Sequence, residues 1–409
     1  MTVNQPNPDA VYICPGDPYC PPRGGQTAFA IQALNAFGSR FALVAPDESD
    51  RLPVGSWVLS EWHDRPIWRF NIGSYAPRNK SHKPLTPRRI VFRRLIAKYL
   101  PAIREIPTRN LFCDSPELLG VLGRYEWSSF CYRFAGLNNP VAFSRYSHLR
   151  FLANWFHRRM MNNLVRLKPA ALLASADRLA IDKFEKENRE LLDGCRLLFF
   201  PTRFNEDIFH PGDFLAQRLS LGLTENNPIL VSVGRLCWVK GWRLVLETLV
   251  ELKKKYPSVK LIFVGDGEDR ASLEEYARKL GVSGNVRVEG FLSPMETWRR
   301  LVAADLYLCS SYCEGWSVAM TEALGCGKIC VSTNVSGVEN MIHDGLNGRI
   351  ITERDPVVYA QAIDEALFLR ESSNKSEHYS LELAQSYSTS KLAEEWGKHW
   401  YPLETRILS

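Results

Sequence analysis

Short apolar runs recur along this chain, each followed by an amphipathic stretch, and that alternation restricts it to parallel sheets covered by helices, an α/β architecture. In the first half, residues 10–14, 41–45, 110–113, 140–144, 170–174 and 196–200 read as strands; in the second, strands begin at Ile229, Lys260, Val286, Leu306, Lys328 and Arg349. At 409 residues the chain suits two doubly wound domains, each large enough for its own core. The Pro- and Gly-bearing segment 201–227 is the expected junction. No stretch approaches the roughly 20 apolar residues a bilayer span needs. The opening Met1–Asp9 is too polar for a secretory signal, so a cytoplasmic location is expected. Ten cysteines are scattered without zinc-type spacing and read as reduced packing residues.

Charge is divided unevenly. Residues 1–200 carry 28 Lys and Arg against 17 acids, whereas the remainder carries an acidic excess. The imbalance peaks over 78–109, where ten cations face the single acid Glu105. Within it Ile90, Val91, Leu95, Ile96 and Tyr99 recur at helical spacing, with Arg88, Arg89, Arg93 and Arg94 on other faces. A basic amphipathic helix over 88–100 lying on an anionic membrane surface is one expectation. A helix packing its apolar face on the sheet is the other, because the periodicity is the same. No helix-turn-helix, RNP-type strand or zinc-finger spacing accompanies the charge, so nucleic acid is not expected as a partner.

The most informative local pattern runs from Glu314 to Glu322: two carboxylates with seven residues between them, placed around a helix start. Gly315 permits a sharp turn, Ser317 is a good N-cap, and Val318–Leu324 continues as helix. Such a start offers free amides to a phosphate. By themselves the glutamates also read as solvated helix-end charges. Upstream, the apolar run 229–233 precedes Gly234-Arg235-Leu236 and Lys240-Gly241 at the mouth of a helix over 242–255. Two cations at a strand's carboxyl end suit a diphosphate. Gly24-Gly25, after the first strand, likewise suits a phosphate-facing helix start or a simple turn. Neither this pair nor Gly265-x-Gly267 has the three glycines of a dinucleotide site.

In these residues, and in Phe263–Gly267, Val288–Phe291, Ala304–Leu306 and Asp344–Gly348, the chain resembles retaining glycosyltransferase family 4, with specificity from about Pro201 to Ile351. The resemblance implies a GT-B fold: two Rossmann-like domains facing each other across a cleft, residues 1–203 with a returning C-terminal helix at about 388–409, and residues 204–387. It implies transfer of a hexose-type sugar from a nucleotide diphosphate donor to an acceptor hydroxyl with retention. Arg235, Lys240 and the amides of Trp316–Val318 would stabilise the leaving diphosphate. Glu314 would hold the sugar hydroxyls, Glu322 the ribose, the backbone of Gly290, Phe291 and Leu292 the base, and Gly24 and Gly25 would face the donor. No metal and no cofactor beyond the nucleotide sugar is expected. The acceptor expected is a lipid-linked saccharide, lipopolysaccharide or polysaccharide intermediate, with Arg145 and His148 as acceptor-side candidates.

Departures from the family pattern concern the sugar end. Arg145-Tyr146 stands where many members have histidine, with His148 two residues on, where a surface or core histidine is equally compatible. Ser336-Gly337-Val338-Glu339-Asn340 replaces Gly-Gly-x-Pro-Glu. A non-catalytic scaffold or subunit of the same fold, or an epimerase or phosphorylase, are the alternative readings.

Overall fold

The computed structural model describes residues 6–20, 25–74, 86–134, 137, 150–176, 178–189, 192–193, 195, 197–223, 227–372 and 374–403. The chain forms two compact units, Met1–Thr202 with Thr389–Ser409, and Arg203–Ser388.

The first unit's strands are β1 (Ala10–Ile13), β2 (Phe41–Ala45), β3 (Trp57–Trp62), β4 (Arg65–Asn71), β5 (Asn110–Cys113), β6 (Ser129–Phe134), β7 (Ala171–Ala174) and β8 (Leu197–Phe199). They lie in the order β3-β4-β2-β1-β5-β6-β7-β8 and are parallel except for the β3–β4 pair. Strands β3, β4 and β6 have no counterpart in the sequence reading. The β3–β4 turn uses His63 and Asp64 at φ 45° and 61°, so the glycine that usually marks such hairpins is missing. Strand β6 carries the buried Arg133, which interrupts its apolar run. The strand expected over 140–144 lies outside the described residues.

The basic helix is present as Arg88–Ile103. Its buried face is Phe92, Ile96, Leu100 and Ile103, at spacings of four, four and three, and it joins the core under the sheet. Leu95 and Tyr99 pack beside that core, while Ile90 is exposed. The apolar stripe is thus consumed by tertiary packing, which corrects the expectation of a face free to enter a membrane. Arg88, Arg89, Arg93 and Arg94 remain exposed. Among the described residues no helix is long and apolar enough to cross a membrane.

The C-terminal helix of the first unit, Leu392–His399, supplies Trp396, which is fully buried against Phe112, Phe29 and Phe37 at ring distances of 4.5, 5.4 and 5.4 Å. Trp400 is also buried and donates through Nε1 to Ser129 Oγ at 2.7 Å. Aromatic area, rather than helix length, holds this short segment to the unit.

The second unit has β9 (Ile229–Val233), β10 (Lys260–Val264), β11 (Val286–Gly290), β12 (Leu306–Cys309), β13 (Ile329–Thr333) and β14 (Gly348–Ile351). The sheet is parallel, in the order β11-β10-β9-β12-β13-β14. From β9 the chain winds outward through β10 and β11, then returns to β12 on β9's other side. The carboxyl ends of β9 and β12 therefore border the crevice where open α/β sheets bind ligands.

Candidate functional site

Strand β9 passes through Gly234 into Arg235 and a tight turn, Trp238–Lys240, closed by Gly241 at φ 65°. A Cβ on Gly241 would lie 1.9 Å from the Ser310 carbonyl oxygen. Only glycine allows the β9 and β12 exits to meet this closely. The helix Trp242–Leu252 follows, anchored by an almost wholly apolar inner face.

From β12 the chain leaves as Ser310-Ser311-Tyr312-Cys313-Glu314. Ser310 Oγ donates to the Lys240 carbonyl at 2.8 Å, and Ser311 Oγ to Glu314 Oε1 at 2.6 Å. Arg354, from the loop after β14, donates to the carbonyls of Ser310 and Ser311 at 2.8 and 3.0 Å and lies 3.6 Å over the Tyr312 ring. Three loops are thereby tied together. They border a recess lined by Arg235, Lys240, Trp242, Tyr307, Ser310 and Glu314 among others.

Lys240 Nζ donates to Glu314 Oε1 at 2.6 Å. Burial by itself would lower the ammonium's pKa, but attraction and hydrogen bonding from the Glu314 carboxylate outweigh it and the pKa is raised. Lys240 is therefore charged at neutral pH. Arg235 is exposed and makes no side-chain hydrogen bond or ion pair to another described residue. Beyond Glu314 the helix Val318–Gly325 begins with Ser317 as N-cap, its side chain accepting from Met320 N at 3.4 Å. Trp316 packs edge-on against Tyr387 at 5.0 Å. Gly337, at φ 81°, leaves room for that indole: a Cβ there would sit 2.8 Å from it. Glu339 next to it is exposed, on the turn Val338–Asn340.

Glu322, one turn into the helix, has its carboxyl pushed up to about 8 by burial, and no side-chain hydrogen bond to another described residue offsets this. At neutral pH it is mostly protonated, so it can donate as well as accept a hydrogen bond. Gly290 sits at φ 74° at the end of β11, its carbonyl accepting from Gly265 N at 2.8 Å, and Phe291 beyond it is exposed.

The structure brings Arg235, Lys240 and Glu314 to one recess. Glu322, Gly290, Phe291 and Leu292 do not line it, and neither do Gly315, Trp316, Ser317 and Val318. Gly25 opens the helix Gly25–Phe37 of the first unit. Gly24, Arg145 and His148 lie outside the described residues. Among the described residues no group of three His, Cys, Asp or Glu is placed to hold a metal ion. The sequence reading missed Ser310, Ser311 and Arg354. The paired serines at a strand exit were visible in principle, whereas nothing near Arg354 in the sequence links it to Tyr312.

Residues 213–382 match the family described as "Glycosyl transferases group 1". The D-inositol 3-phosphate glycosyltransferase of Geodermatophilus obscurus is 31% identical over 220 residues, covering 49% of this chain and 47% of that protein. The chain thus spans about half the length of the curated relatives it matches. Among solved structures, sucrose-phosphate synthase from Thermosynechococcus elongatus has a TM-score of 0.76 at 18% identity, covering 95% of this chain and 97% of that one. Anabaena Alr3699/HepE in complex with UDP and glucose has a TM-score of 0.70 at 17% identity, covering 95% and 98%. The fold is GT-B.

Proposed function

We propose that this protein is a glycosyltransferase that moves a hexose-type sugar, with retention and without a metal ion, from a nucleotide diphosphate donor to an acceptor hydroxyl. The observation that carries this reading is the charged Lys240 paired with Glu314 at the switch point of the second sheet, beside the exposed Arg235 and ahead of a capped helix start. The ammonium and carboxylate satisfy each other. A donor would separate them, Lys240 and Arg235 turning to the diphosphate and Glu314 to the sugar hydroxyls. Charge that develops on the departing phosphate would then be met by the two cations and by the helix-start amides. Glu322, mostly neutral, would exchange hydrogen bonds with the ribose diol, and the Gly290–Leu292 backbone would hold the base.

UDP-hexoses are the first donors to test, since the HepE structure holds UDP and glucose. The exposed arginines of the basic helix support contact with an anionic membrane surface from the cytoplasmic side. The contact is electrostatic only, because the helix's apolar face is already buried. A lipid-linked saccharide, lipopolysaccharide or polysaccharide intermediate is the corresponding acceptor. Calorimetry with UDP, GDP and ADP, followed by nucleotide release from the matching sugar donors, tests the reading. An α-linked product from an α-linked donor, seen by NMR, establishes retention. Failure of every nucleotide to bind would leave a non-catalytic scaffold as the better description.

A further inference from the structure

Two donors hold Glu314 at one and the same oxygen. Lys240 Nζ and Ser311 Oγ both reach Oε1, each at 2.6 Å, while Oε2 receives no hydrogen bond from another described residue. Ser311 and Glu314 both line the recess, and the Glu314 side chain is 11% exposed.

The two donors differ in what fixes them. Lys240 reaches across from the turn after β9 on a flexible four-carbon stem, so it can turn to a ligand without moving its backbone. Ser311 carries its hydroxyl on a single carbon, and its backbone is clamped. Its carbonyl accepts from Thr333 Oγ1, at the end of β13, at 2.7 Å and from Arg354 Nη1, after β14, at 3.0 Å. Two residues upstream, the Tyr359 hydroxyl lies 3.0 Å from the Cys309 carbonyl and 2.9 Å from the Val331 carbonyl, tying β12 to β13 just before the exit. Ser311 itself is buried. A carboxylate so little exposed that loses its ammonium partner is destabilised unless another donor stays with it. Ser311 is that donor, and its hold on Oε1 decides which oxygen is left to a ligand.

We propose that Ser311 is a positioning residue for the donor sugar: its hydroxyl retains Glu314 Oε1 when Lys240 turns to the diphosphate, and thereby presents Oε2 to the hydroxyls of the hexose. This rests on the glycosyltransferase reading and involves no covalent step.

Calorimetry on the full chain, with UDP-, GDP- and ADP-glucose as probes beside the free nucleotides, tests it. Ser311→Ala removes one oxygen and leaves the carbonyl bonds from Thr333 and Arg354 in place. It should weaken the glucose nucleotide that the wild type binds about tenfold, the worth of one hydrogen bond to a charged group. Ser311→Thr, which keeps the hydroxyl, should recover most of that loss. In a Glu314→Ala background, Ser311→Ala should change affinity less than about twofold, because its route to the sugar is gone; a merely structural serine would give the same loss in both backgrounds. If Ser311→Ala fails to fold, Ser311→Cys, similar in shape and a far weaker donor, takes its place. The proposal is overturned by unaltered affinity in the single variant or by an equal loss in the Glu314→Ala background, and either result leaves the glycosyltransferase reading standing. A wild type that binds none of the glucose nucleotides and none of the free nucleotides overturns that reading, and the role of Ser311 with it.

Discussion

The two units place crevices at equivalent points of similar sheets and furnish them with opposite electrostatics. Between β9 and β12 stand a charged lysine, an exposed arginine and an ionic partner in reach of solvent. After β5 stand Asp114, which is buried, and Glu117, both raised by burial and each with an oxygen that has no hydrogen-bond partner among the described residues. Topology selects where a ligand goes, and desolvation selects which kind. A lysine kept charged by a carboxylate suits a diphosphate, whereas burial raises the carboxyls of Asp114 and Glu117.

The largest expected effect tests whether the first unit's charge acts outside its crevice. Replacing Arg88, Arg89, Arg93 and Arg94 together with glutamine should weaken binding to anionic vesicles by about 4 kcal/mol, at about 1 kcal/mol per residue near the surface. Sedimentation with vesicles at low salt measures it, and raising the ionic strength should reproduce the loss in the wild type. A wild type that does not sediment even at low salt would confine those arginines to a solvated face.

Next come the second unit's cations. Lys240→Ala should lower turnover about 100-fold, equivalent to about 2.7 kcal/mol of transition-state stabilisation, and Arg235→Ala should do the same. Circular dichroism should show an unchanged fold. Wild-type-like turnover in both would end the contrast drawn between the two crevices.

Arg354→Ala asks whether the charged crevice is rigid. Losing two carbonyl hydrogen bonds and the Tyr312 stack should cost about 2 kcal/mol of stability, seen as a lower midpoint in urea. Arg354→Lys should recover only part, because a single ammonium cannot reproduce the planar fork over the ring.

The smallest expected effect on ligand binding concerns Glu322, whose carboxyl is desolvated. Glu322→Gln should weaken UDP binding at pH 7 by about 1 kcal/mol, the scale of a neutral hydrogen bond rather than a charge-assisted one. Stability gives an independent reading. The folded value near 8 lies above the ordinary 4.5, so this group's contribution is intact below pH 4.5 and is lost as pH rises toward 8. Wild-type stability should therefore fall relative to Glu322→Gln across that window, by up to about 1.4 kcal/mol per pH unit. Parallel profiles for the two proteins would show that Glu322 is solvated.

The second unit was the more legible in sequence because most of its strands, β9, β10, β12 and β13 above all, are short apolar runs between turn residues. All six begin within one residue of the expected position. The first unit hid three strands: two behind a hairpin turn without glycine and one behind a buried arginine.

Sequence alone determined the strand–helix alternation, the N-cap at Ser317, and the residue types of the charged site, because these depend on local spacing and on chemistry that each side chain carries wherever it is placed. It could not determine which face of the basic helix would be buried, since a membrane and a protein core select the same periodicity; only packing of Phe92, Ile96, Leu100 and Ile103 decided that. Nor could it mark Asp114, Glu117 or Arg354. A carboxyl becomes neutral, and an arginine becomes a clamp, through neighbours brought from distant parts of the chain, and desolvation is a property of the folded surroundings rather than of the residue.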